Sequence, residues 1–376
     1  MKKYKIAVIP GDGIGPEVIG ETIKVLDRCG EKFSFSFEWE KFPYGAGHYL
    51  ATGEVMPEEA MEHMSRCDAM LLGAIGDPRV KPGILEQGIL LAFRFYFDQY
   101  VNLRPAFSLP KVNTPVDLKG TKMDSVVVRE NTEDLYMCIG GITDSGELEL
   151  PIEVSRGSYE LKGSMSLKTD PAWPFAAQAA INSKPGVERI TRYACELAKK
   201  RGEDTVTVVS KSNAVSALYG FFEENAKRVM AEEYPGLKYA MVNVDALCYH
   251  LVRNPAAYGV LLCPNLFGDI ISDLQAGLAG GLGTAAGGNI GDGLSMFEPV
   301  HGSAPDIAGT GRANPVAAIL SGALMLEHLG ESEASKAVNS AVSKFLEDSE
   351  EKDLPFEFGG KASFEEVGEN IRKYIS

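Results

Sequence analysis

With 376 residues, 45% hydrophobic and 24% charged, the chain is long enough for two packed domains or one large α/β unit, and its make-up is that of a soluble globular protein. A formal net charge of -15 argues against nucleic acid and against anionic membrane surfaces as partners. The six scattered cysteines form no C-x-x-C pair, which fits free thiols in a reducing, cytoplasmic setting, and no apolar run approaches the ~20 residues of a membrane span.

In chain order, "YKIAVIPGDGIGPEVIGETIKVLDRCG" (4–30) reads as strand, glycine loop and helix, and "FSFEWEKFPYG" (35–45) as the next strand. Residues 57–66 read as a helix, and "DAMLLGAIG" (68–76) as a buried strand ending in glycines. This alternation predicts a mostly parallel sheet covered by helices. Past residue 100, "DSVVVREN" (124–131) is a short strand, and "GELELPIEVSRGSYELKGSMSLKTD" (146–170) has the pattern of a hairpin or arm. The helix "GVERITRYACELAKKRG" (186–202) ends on a glycine cap, "DTVTVVSKSN" (204–213) is a strand, and 214–233 is a helix. "YGVLLCPN" (258–265) is another buried strand. "AGLAGGLGTAAGGNIGDG" (276–293) reads as a glycine-rich loop region, and "NPVAAILSGALMLEHLG" (314–330) as a helix.

"NLFGDIISDL" (265–274) carries the strongest chemical signal. On a helical wheel Leu266, Phe267, Ile270, Ile271 and Leu274 form an apolar stripe. Asp269 and Asp273 lie just beyond its edge, roughly 20° to 60° from Leu266. Two aspartates one turn apart repel, and a divalent cation offsets that; oxygen-only ligands suit Mg²⁺ or Mn²⁺. Asp245, in "VDALCYHLV" (244–252), is a third carboxylate in apolar company. Two solvated aspartates at a helix edge are the plain alternative.

Arg94 and Arg104 sit among aromatic and aliphatic residues in "LLAFRFYFDQYVNLRP" (90–105), and Arg129 follows a run of valines. Such arginines suit carboxylate binding, with a structural ion pair as the alternative. Tyr136 lies just beyond, in "ENTEDLY". Lys211 and Asn213 close an apolar strand, where a lysine is a candidate base. "PGDGIGPE" (10–17) imitates the G-x-G-x-x-G dinucleotide fingerprint, with Glu38 or Glu40 as a possible ribose acid, but Pro16 holds the third glycine position. "HGSAPDIAGTGRANP" (301–315) is a loop of small residues around one His, one Asp and one Asn, suited to close backbone approach to a ligand.

Taken together and in order, "IPGDGIGPEV", "GAIGDP", "FDQYVNLRP", "VVVRENTEDLY", "KSNA", "VDALCYHLV", "NLFGDIISDL" and "FEPVHGSAPDIAG" resemble the isocitrate/isopropylmalate dehydrogenase family of decarboxylating dehydrogenases over nearly the whole chain. The resemblance implies an α/β fold of isopropylmalate dehydrogenase type, with a central mixed, mostly parallel sheet rather than a Rossmann fold. It implies a discontinuous cofactor domain (1–100 and 255–376) and a central domain (101–254) with a dimer-forming arm. It implies a homodimer whose site is shared: Asp269 and Asp273 of one subunit hold the metal with Asp245 of the other, and Lys211 crosses as well. By the same resemblance Arg94, Arg104, Arg129 and Asn213 bind substrate, and Tyr136 and Lys211 are catalytic. Ile14, His301, Gly302, Ser303, Ala304, Asp306, Ile307 and Asn314 bind the cofactor. NAD is expected, because Asp306 stands where NADP-using relatives carry lysine and a carboxylate repels a 2′-phosphate.

The expected substrate is a malate-type 2-hydroxy acid. In isocitrate enzymes the turn before the first arginine carries Ser and Asn; here it holds Gly88 and Leu90, followed by Leu91, so nothing polar meets an extra carboxylate. That points first to 3-isopropylmalate, hence leucine synthesis, with D-malate or tartrate as the alternative and isocitrate or homoisocitrate behind them. Phe95, Gln87, Met137 and Cys138 depart from the family pattern and leave the substrate, not the reaction, open.

Overall fold

The computed structural model describes residues 2–375. Strand β1 (Lys2–Gly11) feeds helix α1 (Gly15–Phe33), whose apolar positions recur at helical spacing and bury Val18, Ile19, Val25 and Leu26. Then come β2 (Phe35–Lys41), the short helices α2 (Ala46–Thr52) and α3 (Glu58–Met64), and β3 (Ala69–Ala74), which is buried along its whole length. Helix α4 (Ala92–Tyr96) leads into β4 (Val101–Phe107), and β5 (Asp124–Glu130) returns beside it. The segment expected to be an arm is two antiparallel pairs: β6 (Gly140–Thr143) with β9 (Phe175–Gln178), and β7 (Glu147–Arg156) with β8 (Tyr159–Lys168).

Helix α5 (Lys184–Arg201) starts on Ser183, whose hydroxyl accepts from Gly186 N, and stops at left-handed Gly202. Next are β10 (Thr205–Ser210), α6 (Phe221–Glu233), β11 (Lys238–Asn243), α7 (Val244–Arg253), β12 (Val260–Cys263) and α8 (Asn265–Ala279). The glycine-rich stretch expected to be loop (276–293) begins in the last turn of α8 and contains β13 (Ala286–Ile290); β14 (Met296–Pro299) follows just beyond it. Glycine suits this close packing: a Cβ on Gly288 would lie 3.1 Å from the Phe297 ring, and one on Gly287 3.1 Å from the Glu298 carbonyl, so a larger residue would require the neighbour to shift slightly. Helices α9 (Val316–His328), α10 (Ser332–Asp348) and α11 (Phe364–Lys373) close the chain.

One ten-stranded sheet joins these elements, in the order β11-β10-β12-β5-β4-β13-β14-β3-β1-β2. The pairs at both flanks are parallel, and the three central ones (β5/β4, β4/β13, β13/β14) are antiparallel. The sheet is therefore mixed and mostly parallel, as expected, and its two parallel flanks run in opposite directions. The register sets Asn102 beside both Arg129 and Asn289, so the polar residues of three strands meet mid-sheet. No described helix is long and apolar enough to cross a membrane.

Candidate active site

The α8 aspartates are held by arginines from the strands beneath them. Arg129, at the end of β5, is almost completely buried and donates through Nη1 to Asp269 Oδ1 at 2.5 Å. Its Nε donates to both the carbonyl and the side-chain oxygen of Asn265, each at 2.9 Å. Gly268 makes this possible, since a Cβ there would sit 2.5 Å from Arg129 Cβ. Arg104, on β4, reaches Asp273 Oδ1 at 3.1 Å and Asp269 at 3.7 Å. Tyr136 donates to Asp269 Oδ2 at 2.5 Å, with its ring under the Arg129 guanidinium. Arg94 lies 3.9 Å from Glu298. Six expected site residues thus gather in one cleft, and the aspartate repulsion read from the sequence is met by guanidinium groups.

Burial opposes ionisation of Asp269, but Arg129, Tyr136 and Arg104 together hold it below the usual carboxylate range. Burial pushes the Tyr136 hydroxyl up, reinforced by Asp269. Burial, with Arg104 close by, brings Arg129 down to about 9. Arg94 Nε and Arg129 Nη2 are buried and have no partner. Buried N–H groups are costly to leave unpaired, so both are donors waiting for an acceptor.

The wheel reading of α8 needs one correction. Phe267 and Ile271 are buried, but Ile270 is 52% exposed and lies off the core stripe. The carboxylate trio was expected to span two subunits; among the described residues of this one chain no group of three metal-ligating side chains assembles. Asp245 instead accepts a 2.6 Å hydrogen bond from Lys211, which holds it below the ordinary range. Asn213 is exposed on the same segment. Around this pair lie Tyr249 and Val252 of α7, Met241 of β11 and Val215, all large, apolar and exposed.

A cavity of about 290 Å³ is lined by Ile14, His301, Ala304, Ile307 and Asn314, and also by Leu282, Gly283, Arg312, Phe356 and Glu357. Of the latter five, Arg312 belongs to the 301–315 loop but was not singled out there, and Leu282, Gly283, Phe356 and Glu357 come from separate segments. Glu357 accepts from Asn314 Nδ2 at 2.8 Å and from Gly283 N at 3.1 Å. Burial lowers the His301 pKa, and its Nε2 has no partner. The "PGDG" turn builds this wall: Ile14 N donates to the Ser303 carbonyl at 2.8 Å, and a Cβ on Gly13, at φ +56°, would strike that carbonyl. Asp306 and Gly302 are exposed, and Gly302 lines the smaller cavity beside Arg94 and Arg104. Glu38 and Glu40 are paired with Lys3 and Lys5, which disposes of them as ribose acids.

A smaller cavity, about 130 Å³, lies between Leu90, Ile75, Arg94, Arg104 and Glu298. Leu91 is half-buried and does not line it. Residues Glu86–Leu91 form a π-helical turn, a feature frequent at functional sites and illegible in sequence. Phe95 does not face this cavity; Arg156 of the arm stacks on its ring at 4.4 Å. Met137 is buried in the small core of the arm, and Cys138 is exposed beyond it.

Fold and cleft together define the class: an α/β enzyme with an arginine-lined, acid-edged cleft. A family model described as isocitrate/isopropylmalate dehydrogenase matches residues 5–371. The chain belongs to that family and is an oxidoreductase, a decarboxylating dehydrogenase. It is 41% identical to a 3-isopropylmalate dehydrogenase of Thermobifida fusca (100% of this chain, 98% of that one) and 44% identical to one of Bifidobacterium longum (92% and 94%). Among solved structures it is similar to isocitrate dehydrogenase from Methylococcus capsulatus, with TM-score 0.84, 33% identity and 99% of each chain covered. It is also similar to the apo form of a beta-decarboxylating dehydrogenase from Thermococcus kodakarensis, with TM-score 0.74, 35% identity, and 99% and 96% covered.

Proposed function

We propose that this chain carries out the NAD- and divalent-cation-dependent oxidative decarboxylation of a malate-type 2-hydroxy acid, with 3-isopropylmalate as its substrate. The observation that carries the reading is the cleft itself: three arginines, two with unpartnered buried N–H groups, beside two aspartates, with Leu90 and Ile75 at the edge. A second substrate, D-malate or tartrate, is favoured by the small volume of that cavity, about 130 Å³.

Arg94, Arg104 and Arg129 bind the substrate carboxylates and hold the reacting carbons in place. Lys211 accepts the hydroxyl proton, and Tyr136, kept protonated by burial, returns a proton to the carbon left by CO₂. Asp269 and Asp273 fit a Mg²⁺ or Mn²⁺ ion. Their contacts use only part of the lone pairs that a carboxylate offers. The third ligand is Asp245 of the partner subunit, which also supplies Lys211; the exposed apolar residues around the Lys211–Asp245 pair suit a homodimer interface. The 290 Å³ cavity, with the unpartnered His301 Nε2, suits the adenosine half of NAD. When bound, the nicotinamide takes up the hydride and the cation stabilises developing oxygen charge. We propose 1–100 with 255–376 and 101–254 as the two domains; the strands of the two ranges fall on opposite sides of the sheet, except that β12 lies between β10 and β5, among the strands of the second range.

The test follows NADH absorbance with Mg²⁺ or Mn²⁺ and potassium, offering 3-isopropylmalate, D-malate, tartrate and isocitrate in parallel. The highest kcat/KM is expected with 3-isopropylmalate, and none with EDTA. A preference for D-malate or tartrate selects the second substrate. NADH formation that survives EDTA contradicts the role given to Asp269 and Asp273.

A further inference from the structure

We infer that Asn289 is a positioning residue that sets the spacing of Arg94 and Arg104; this rests on the reading of those arginines as carboxylate ligands. Asn289 lies on β13, within the stretch the sequence suggested to be loop, and is fully buried. Its Oδ1 accepts from Asn102 Nδ2 at 2.7 Å and from Asn131 Nδ2 at 3.0 Å. Its Nδ2 donates to Glu298 Oε1 at 2.7 Å. Asn102 Oδ1 in turn accepts from Arg104 Nε at 2.7 Å, and the same Glu298 oxygen faces Arg94 Nη2 at 3.9 Å. One continuous polar chain therefore runs from Arg104 through two amides to a carboxylate and on to Arg94.

The ends fix the direction of every link. A guanidinium can only donate, so Asn102 must present its oxygen to Arg104 and its NH₂ to Asn289. An ionised carboxylate can only accept, so Asn289 must present its NH₂ to Glu298 and its oxygen to Asn102 and Asn131. Flipping either amide would set donor against donor or oxygen against oxygen at both of its contacts. Asn131 also donates to the Gln99 carbonyl at 2.8 Å, which ties the chain to the turn between α4 and β4. Arg94 and Arg104 stand on different elements, α4 and β4, and this chain links their guanidinium groups through side chains alone. A substrate bearing two carboxylates reads the distance between them, and small misplacements there are costly.

Asn289→Asp tests this. Aspartate keeps the shape and the acceptor but loses the donor, and sets a second carboxylate against Glu298. The charged groups facing position 289 are Glu298 on β14 and, one amide away, Arg104 on β4. At about pH 8 the expected result is a KM for the preferred acid raised about tenfold or more, with kcat within about threefold. As the pH falls and one of the two carboxyls takes up a proton, the donor returns and KM should move back toward the wild-type value. Malonate titrated calorimetrically should show the same weakening without turnover. As a second test, Asn102→Ala, Asn289→Ala and their double variant should be non-additive in KM, the double costing little more than either single. An Asn289→Asp enzyme with wild-type KM and malonate affinity overturns the inference. So does equal, pH-independent loss in kcat and KM, or strict additivity of the alanine pair. If the wild-type protein neither binds malonate nor turns over any of the acids, the carboxylate reading fails first, and this inference falls with it.

Discussion

The two halves of the candidate site are built differently. The arginine–aspartate half is closed within one chain: Arg129 is buried, bonded to Asn265 and Asp269, and backed by the Asn102–Asn289–Glu298 chain. The Lys211–Asp245 half stands open. Lys211 keeps 27% of its side chain exposed and Asp245 68%; Lys211 Nζ donates to Asp245 Oδ1 on a surface that also carries exposed apolar residues. On the proposed reading, the difference teaches that one chain prepares the substrate clamp but leaves the proposed base, Lys211, to be placed by assembly. Rigid recognition can be prepaid in a fold, whereas a group that crosses from a partner is placed only on assembly.

Substitutions at each half should break this comparison in different ways. Lys211→Met has the largest effect: kcat should fall about 10³-fold, as for loss of a general base, with the melting temperature nearly unchanged because the lysine packs against little. Wild-type turnover in that variant would remove Lys211 from the chemistry. Val252→Glu, within the exposed apolar surface proposed as the homodimer interface, comes next. An unpaired charge in an interface costs about 3 kcal/mol, roughly a hundredfold in the association constant. Ultracentrifugation should show monomers, and activity should fall with dimer content. Arg129→Met strikes the closed half. It leaves Asp269 without its main partner and should lower stability by about 2–3 kcal/mol in denaturant unfolding, as well as abolish substrate binding. An unchanged midpoint would mean that the Arg129–Asp269 pair is not holding the cleft.

The smallest effect concerns Glu130, fully buried next to Arg129. Burial, with Glu133 nearby, raises its pKa above the ordinary carboxylate range. A raised acid is neutral in both states below its unfolded pKa, and it loses stability as pH rises from there through its folded pKa. Glu130→Gln removes the titration but sets an NH₂ against the Thr132 and Glu133 N–H groups to which the carboxylate oxygens are bonded, a cost that does not vary with pH. Its stability relative to wild type should rise by on the order of 1–2 kcal/mol between about pH 4.5 and about pH 8. A relative stability that falls as pH rises would contradict the sign.

Much of this was legible in the sequence where chemistry is carried by neighbours in the chain. The alternation of apolar runs gave most strands and helices, and the Asp269/Asp273 spacing pointed at a paired-charge problem that the structure answers with Arg104 and Arg129. Strand β13 was missed because glycine counts against a strand, and only the structure shows the Phe297 ring and Glu298 carbonyl lying close over Gly288 and Gly287. Ile270 was misplaced because a helical wheel gives the width of an apolar stripe, not which part of it meets the core. Asn102, Asn289 and Glu298 were invisible because their pairing depends on strand register across the centre of the sheet. Phe356 and Glu357 were missed for a similar reason: a turn near the C-terminus closes a pocket begun at Ile14.

The most direct test of a site shared between subunits is to mix two dead variants. Lys211→Met and Tyr136→Phe chains are co-expressed, purified as mixed dimers, and assayed for NADH formation. If Lys211 serves the partner's cleft, each mixed dimer holds one intact site. Purified mixed dimers should then show about half of wild-type activity. Activity no higher than that of either variant alone would mean that Lys211 and Tyr136 act within the same chain, and would contradict the account.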